Sequence, residues 1–275
     1  MGEGFREKLT ANGREPDRCR AVVWRRPQGT PVTAYTRDIA EFFIRNSPSA
    51  KALTFGGPAA LLWAGACLAI AGLLKTRRNW KTGYTRKVFH FLIFGTVVAV
   101  QGIWGTAGVC LFGAMTTAVI AYALLRGPGH LMYEAMAREK DAPRRTHYVI
   151  VPYLATLVGG LLSNIFFPRT AVFGYLVAGL GDAVAEPVGT RFGRHPYRVP
   201  AVRGVRAVRS VEGSVSVLIV SALALLACLA FSPQFALSGR SVLAVLLIAA
   251  VSMLVEAASP HGWDNTTLQV VPALL

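Results

Sequence analysis

The sequence has 275 residues, of which 53% are hydrophobic and only 16% are charged. This composition, with a mean hydropathy of +0.45, excludes an ordinary soluble domain, and the long apolar runs exclude a disordered chain. The net charge of +15 is compatible with a protein that binds nucleic acid. The arginines border apolar runs, however, and attraction to anionic lipid head groups is the simpler explanation of basic residues at that position. We therefore expect an all-α, polytopic integral membrane protein with no nucleic-acid partner.

A basic tail of 51 residues precedes the first apolar run. We expect it to be partly disordered, and its amphipathic stretch "RDIAEFFIRN" is typical of a helix that lies along the membrane interface. Residues 52–275 then form the transmembrane domain. The side of the membrane that holds the tail stays open. Either the first span does not cross, or this long basic segment overrides the positive-inside rule.

Seven apolar runs have about the 20 residues that an α-helix needs to cross the hydrocarbon core. The predicted spans are, approximately, residues 54–74, 88–104, 106–125, 148–167, 170–188, 214–231 and 241–258. The final run, "LQVVPALL", is too short to cross, and we expect it to be a buried or interfacial end.

Lysine and arginine residues concentrate in alternate loops, at residues 75–87, 126–147 and 189–213. The opposite loops hold only Arg169 and Arg240. By the positive-inside rule the three basic loops are cytoplasmic. Because the loops leave no room for a soluble catalytic domain, any active site must be assembled from loops and helix ends at this face.

Two acids stand at the end of the fifth predicted span, in "GDAVAEPVG". An acid at the centre of a membrane helix costs about 2.5 to 3.5 kcal/mol, so such residues are candidates for function. Asp182 and Glu186 are four residues apart, point to one side of a helix and could together bind a divalent cation. The alternative is a small-residue packing face, at Gly181, Ala185 and Gly189, whose acids simply pair with arginines.

The basic loop that follows combines arginines with glycines, as phosphate-binding segments do. Arg191, Arg194 and Arg209 accompany Gly193 and Gly213. The run "RSVEGS" places Ser210 where it can start the next helix and favour an anion there. A solvated basic loop would explain the charge alone. The chain has no Walker A pattern, so a nucleotide would bind without a P-loop.

Two further motifs belong to the same face by this topology. "TRKVFH" brings Arg86, Lys87 and His90 to the start of the second span, although cations there can also be membrane anchors. "VEAASPHGWDN" places Glu256 at the end of the seventh span, with Asp264 and Asn265 just beyond it.

The motifs "RKVFH", "GDAVAEPVGTRFGRHPYR", "RSVEGS" and "DN" occur in this order over roughly residues 80–268. Together they resemble the family of dolichol kinases, phytol kinases and CTP-dependent diacylglycerol kinases. The resemblance implies transfer of the γ-phosphate of CTP to the hydroxyl of a membrane lipid alcohol, with Mg²⁺. Isoprenoid alcohols (phytol, polyprenol or dolichol) are favoured over diacylglycerol.

The same motifs resemble, more distantly, the CDP-diacylglycerol synthases. Those enzymes carry an "SP.KT.EG" run and a second terminal aspartate, where this chain has "VRSVEG" and "DNTT". The difference favours the kinase, and both alternatives imply CTP. An ion-coupled transporter that uses Asp182 and Glu186 as a relay is a third alternative, but the other half of the chain has no second copy of the acid motif.

Taken with the resemblance, these residues receive expected roles. Asp182 and Asp264 are expected to bind the metal. Asp182 and three glutamates are the catalytic candidates, and which of Glu186, Glu212 and Glu256 is the base stays open. The expected nucleotide contacts are Arg86, Lys87, His90, Arg191, Gly193, Arg194, Arg209, Ser210, Gly213 and Asn265. The expected partners are CTP, the lipid alcohol and the bilayer, and the sequence leaves the oligomeric state open.

Overall fold

The computed structural model describes residues 31–200, 207–260 and 262–275. Contacts within the chain define two units, Met1–Ile39 and Ala40–Leu275. The described part of the first unit is helical and belongs to the helix Pro31–Arg45, which includes the predicted amphipathic stretch except its last residue, Asn46. Most of the predicted basic tail lies outside the described residues, and the domain boundary at residue 51 stays a prediction.

The fold is built from α-helices, which confirms the predicted all-α class. The helices are α1 Pro31–Arg45, α2 Gly57–Arg78, α3 Thr82–Arg126, α4 Leu131–Glu134, α5 His147–Phe166, α6 Ala171–Leu176, α7 Asp182–Phe192, α8 Val211–Phe231, α9 Gly239–Ala258 and α10 Asp264–Leu274. A π-helical turn, Ala52–Gly56, precedes α2, and a second, Val177–Gly181, joins α6 to α7.

In the described part of the chain, six helical segments are long and apolar enough to cross a membrane, and they overlap all seven predicted spans. These segments are Ala52–Arg78, Thr82–Arg126, His147–Phe166, Ala171–Phe192, Val211–Phe231 and Gly239–Ala258. Their outer surfaces are apolar: in α8, Ile219 and Leu223 are more than half exposed, whereas Val217 and Leu225 are fully buried. Such a surface suits lipid rather than water, so the chain is a multi-pass membrane protein.

Helix α3 explains why seven predicted spans correspond to six segments. It has 45 residues, and at about 1.5 Å per residue a straight helix of this length would exceed twice the hydrocarbon core of ~30 Å. Its backbone breaks at Gly105, where φ is 64° and ψ is −161°, a conformation open to glycine. A Cβ built on Gly108 would lie 3.0 Å from Val100 Cγ1, so the two arms of α3 fold back as a hairpin. The number of crossings stays a prediction.

The π-helical turn between α6 and α7 ends immediately before Asp182. Turns of this kind often occur at functional sites. The predicted small-residue face is also present: a Cβ on Gly181 would collide with Ser221, and one on Gly213 would lie 2.9 Å from the carbonyl oxygen of Ala185. Because α7 packs on α8 through these residues, its acids are left free to face α3.

The predicted loop at 189–213 contains a small antiparallel sheet, which adds strands to the helical fold. It consists of β1 (Pro196–Val199) and β2 (Ala207–Ser210), with Tyr197 opposite Arg209. The C-terminal run is indeed a buried end. It belongs to α10, in which Leu268 and Gln269 are buried and Gln269 donates a hydrogen bond to the carbonyl oxygen of Thr156 in α5.

The orientation of the bundle predicts an accessibility pattern. Arg144 and Arg194 are exposed and belong to basic loops, whereas Gln234 is exposed in the connection from α8 to α9, at the other end of these helices. In a cysteine-free background, Arg144→Cys and Arg194→Cys should react with an impermeant maleimide only from the cytoplasmic side, and Gln234→Cys only from the opposite side. Labelling of Arg144→Cys and Arg194→Cys from different sides would contradict this topology.

Candidate active site

Polar side chains from six elements meet at one end of the helical bundle. They come from the start of α3, the start of α7, strand β2 with the first turn of α8, the end of α9, and the start of α10. This arrangement joins all four sequence motifs, although "RKVFH" and "DN" are separated by more than 170 residues. Three groups of ionic contacts make up the site.

Asp182 is the centre of the first group and is only 5% exposed. Its Oδ2 accepts a hydrogen bond of 2.5 Å from Lys87 Nζ, and His90 Nε2 lies 3.9 Å away. His90 Nε2 also lies 2.7 Å from the carbonyl oxygen of Ala178, within the π-helical turn. The widened turn therefore supplies a backbone partner for His90, which orients its ring beside Asp182.

Glu186, one helical turn further on, is the centre of the second group. Its Oε2 accepts a hydrogen bond of 2.9 Å from Arg86, and its Oε1 accepts one of 3.3 Å from Arg138. Lys140 Nζ lies 3.8 Å from the same Oε1. The predicted acid pair thus shares one face of α7, but each carboxylate contacts different cations.

Arg209 links the third group. Its guanidinium lies 3.0 Å from Glu256 Oε1 and donates a hydrogen bond of 2.9 Å to Asp264 Oδ2. Ser214 donates to the other oxygen of Glu256, and the hydroxyls of Ser214 and Tyr197 are 2.6 Å apart. Because Tyr197 pairs with Arg209 across the sheet, the two strands fix the arginine beside the buried Glu256 and the half-buried Asp264.

Asp182 and Asp264, the predicted metal ligands, line the same cavity. Burial, and next the negative charge of Asp182, raise the pKa of Asp264 above its ordinary value, against the opposing charge of Arg209. Two neighbouring carboxylates with this unfavourable charge suit a divalent cation. No group of three His, Cys, Asp or Glu is formed among the described residues, but Mg²⁺ usually takes one or two carboxylates and completes its shell with phosphate and water. The residues present therefore fit Mg²⁺.

Three predicted nucleotide contacts have structural partners. Asn265 donates to the carbonyl oxygen of Pro152 and to the hydroxyl of Thr156, which docks α10 on α5. Ser210 caps α8 by accepting a hydrogen bond of 3.1 Å from the backbone N–H of Gly213. Gly213 is also the residue that allows the close approach of α7 to α8.

Four other predicted site residues are not part of the three ionic groups. Arg191, Gly193 and Arg194 are exposed, and Arg191 lies over the ring of Phe192, 5.5 Å from its centroid. Arg191 does share a shallow groove between α3 and α7 with Lys87. Glu212 lies 2.7 Å from the ring of exposed His195.

Sequence reasoning missed Arg138 and Lys140, which come from the connection between α3 and α5. This segment is outside the family resemblance, and in the sequence only its charge distinguishes it. Its position on the same face as the other motifs was the available signal, because the topology places loop 126–147 beside the starts of the helices that carry the site.

A cavity of about 370 Å³ opens from the ionic site into the bundle. At its polar end lie Lys87, His90, Asp182 and Asp264, and its walls continue along apolar side chains of both arms of α3 and of α5. Phe94, Val97 and Ile120 are among these wall residues. A polar end joined to an apolar wall is suited to an amphiphile whose head group reaches the acids.

The third ionic group predicts a specific stability effect. Arg209→Ala leaves Glu256 and Asp264 without their shared cation, and removing one partner of a buried ion pair costs about 3 to 5 kcal/mol. We expect a clear fall in the unfolding temperature of the detergent-solubilised protein. Arg198→Ala, which removes an exposed arginine from the neighbouring strand, should change stability by no more than about 0.5 kcal/mol. Equal effects of the two substitutions would contradict the assignment of Arg209.

No family model matches the sequence. No solved structure is significantly similar to the chain. Among curated proteins, the chain is similar to a phytol kinase of Synechocystis sp., with 29% identity over 237 residues, which are 84% of this chain and 94% of the relative. The similarity extends over almost the whole relative, and the relative's name is that of one of the kinases that the sequence motifs resemble. It supports a phytol and polyprenol kinase-like family for this chain.

Proposed function

We propose that the protein is a CTP-dependent lipid-alcohol kinase, which transfers the γ-phosphate of CTP to the hydroxyl of an isoprenoid alcohol at the cytoplasmic face of the membrane. The similarity to a phytol kinase supports the kinase class and makes phytol the first alcohol to test. The observation that carries the proposal is the apolar cavity that ends at Lys87, Asp182 and Asp264.

The cavity supports a membrane-embedded acceptor. An isoprenoid chain gains about 25 cal/mol for each Å² of apolar surface that it removes from water, but little when it moves from lipid into a protein cavity. The apolar wall of the cavity therefore serves mainly to orient the isoprenoid alcohol, so that the hydroxyl of the alcohol is held at the polar end. Orientation of this kind is a large part of the catalysis of phosphoryl transfer.

The acids and cations at the polar end suit a nucleoside triphosphate. In the proposal Asp182 and Asp264 hold Mg²⁺, which when bound neutralises charge on the phosphate oxygens. Lys87, Arg86 and Arg209 supply further positive charge, and Arg forks match phosphate oxygens. The charge that develops in transfer is then stabilised by groups already held in position.

The geometry also narrows the choice of base. A neutral hydroxyl needs a proton acceptor within hydrogen-bond reach. Among the described residues that line the cavity, the acids are Asp182 and Asp264. Glu186, Glu212 and Glu256 are not among the residues that line it. We therefore propose an aspartate as the group that accepts the hydroxyl proton, with the three glutamates in supporting roles.

The proposal predicts the fate of the label in a turnover assay. With purified protein, Mg²⁺ and phytol or a polyprenol in detergent, CTP labelled at the γ position should transfer its label to the alcohol and leave CDP. Asp182→Asn should reduce turnover at least about 1,000-fold, because it removes a metal ligand or the base. The unfolding temperature of the Asp182→Asn variant, compared with that of the wild-type protein, shows whether the variant is folded.

Two outcomes would contradict the kinase. Release of pyrophosphate with a CDP-linked lipid would indicate the cytidylyltransferase instead. Ion flux in liposomes that depends on Asp182, with no phosphoryl transfer by the wild-type protein, would indicate the transporter.

A further inference from the structure

The connection between α3 and α5 is a buried and anchored part of the domain rather than a solvated loop. Tyr133, Ala135 and Ala137 are almost completely buried, and the charged Arg138 is only 4% exposed. A connection that served only to join two helices would not bury an arginine, because desolvating a charge is costly.

Polar contacts hold this segment against the starts of the helices that carry the site. Thr85 of α3 donates a hydrogen bond of 2.9 Å to the carbonyl oxygen of Ala135. Glu139 pairs with Lys75 of α2 and accepts a hydrogen bond from Thr82. Arg145 donates to the backbone carbonyl of Ala137. The segment is therefore fixed on both sides of Arg138.

Asp141 sets the direction of the Arg138 guanidinium. Arg138 Nε donates to Asp141 Oδ2 at 2.8 Å, and its Nη2 donates to Asp141 Oδ1 at 3.3 Å. The remaining terminal nitrogen, Nη1, donates to Glu186 at 3.3 Å. Asp141 thus acts as a positioning residue that aims Arg138 at the site.

The cations around Glu186 exceed the nearby acids by one charge, because Asp141, the partner of Arg138, neutralises one of the three. Arg86, Arg138 and Lys140 lie within 4 Å of this single carboxylate. Glu186 is 20% exposed and Lys140 is 68% exposed, so this group faces water, whereas Asp182 lies deeper, at the cavity. A surplus of positive charge that is open to water and adjacent to the transfer site suits a soluble polyanion.

We propose that Arg138 and Lys140, together with Arg86, bind the phosphates of the nucleotide donor. The inference rests on the proposed use of a nucleoside triphosphate. In this arrangement the donor approaches from the aqueous side over Glu186, and the alcohol approaches from the apolar cavity. The two substrates meet at Asp182 and Lys87.

The test is a comparison of Michaelis constants in the purified full-length protein. Lys140→Ala should raise the KM for CTP about fivefold, and Arg138→Lys, which loses the fork geometry, about tenfold or more. The KM for the alcohol should change less than about twofold in both. Arg144→Ala removes an exposed cation from the same segment and should leave both constants unchanged.

Lys140 is exposed, so its variant keeps the inference testable even if Arg138→Lys fails to fold. An unchanged KM for CTP in Lys140→Ala would overturn the inference, and so would an equal rise in Arg144→Ala. A change confined to inhibition by the lipid monophosphate product would overturn it too, because the phosphate bound there would then belong to the lipid. Failure of the wild-type protein to use CTP at all would instead overturn the proposed function.

Discussion

The ion pair between Lys87 and Asp182 is the interaction on which the rest of the site depends. Both groups are buried between membrane helices, where neither charge is tolerated without the other. Because Lys87 belongs to α3 and Asp182 to α7, the pair fixes these helices in register. His90 and Glu186 are then held at set positions on the same two helices, and Arg86 is brought to Glu186.

This constraint has a functional consequence, since the pair stands at the boundary between an apolar cavity and a charged, water-facing surface. A lipid alcohol and a nucleotide differ so much in polarity that no single environment holds both. In the proposed function the two substrates are separated by depth: Asp182 lines the apolar cavity, and one turn of α7 later Glu186 faces water. The sheet of β1 and β2 completes the site, because it holds Arg209 in contact with Glu256 and Asp264.

The spans and the acid motifs were predictable from the sequence, because an apolar run of about 20 residues has the length of a membrane helix and an acid within it is costly unless it has a function. The sequence could not rank the arginines of loop 189–213, since only the pairing of Tyr197 with Arg209 selects one of them for the buried site. The contact of Arg138 with Glu186 joins residues 48 positions apart, and no local pattern encodes it. Asn265 has a structural role that its motif did not indicate, because its side chain docks α10 on α5; its predicted contact with the nucleotide stays a prediction.

Photo-crosslinking is the most direct test of whether the cavity leading to Asp182 receives the acceptor chain. The probe is an isoprenoid alcohol that carries a diazirine midway along its chain. We predict that crosslinks map to cavity-wall residues such as Phe94, Val97 and Ile120, and that excess phytol prevents them. Crosslinks confined to the lipid-facing surface, for example at Ile219 and Leu223 of α8, and insensitive to excess phytol, would contradict this role of the cavity.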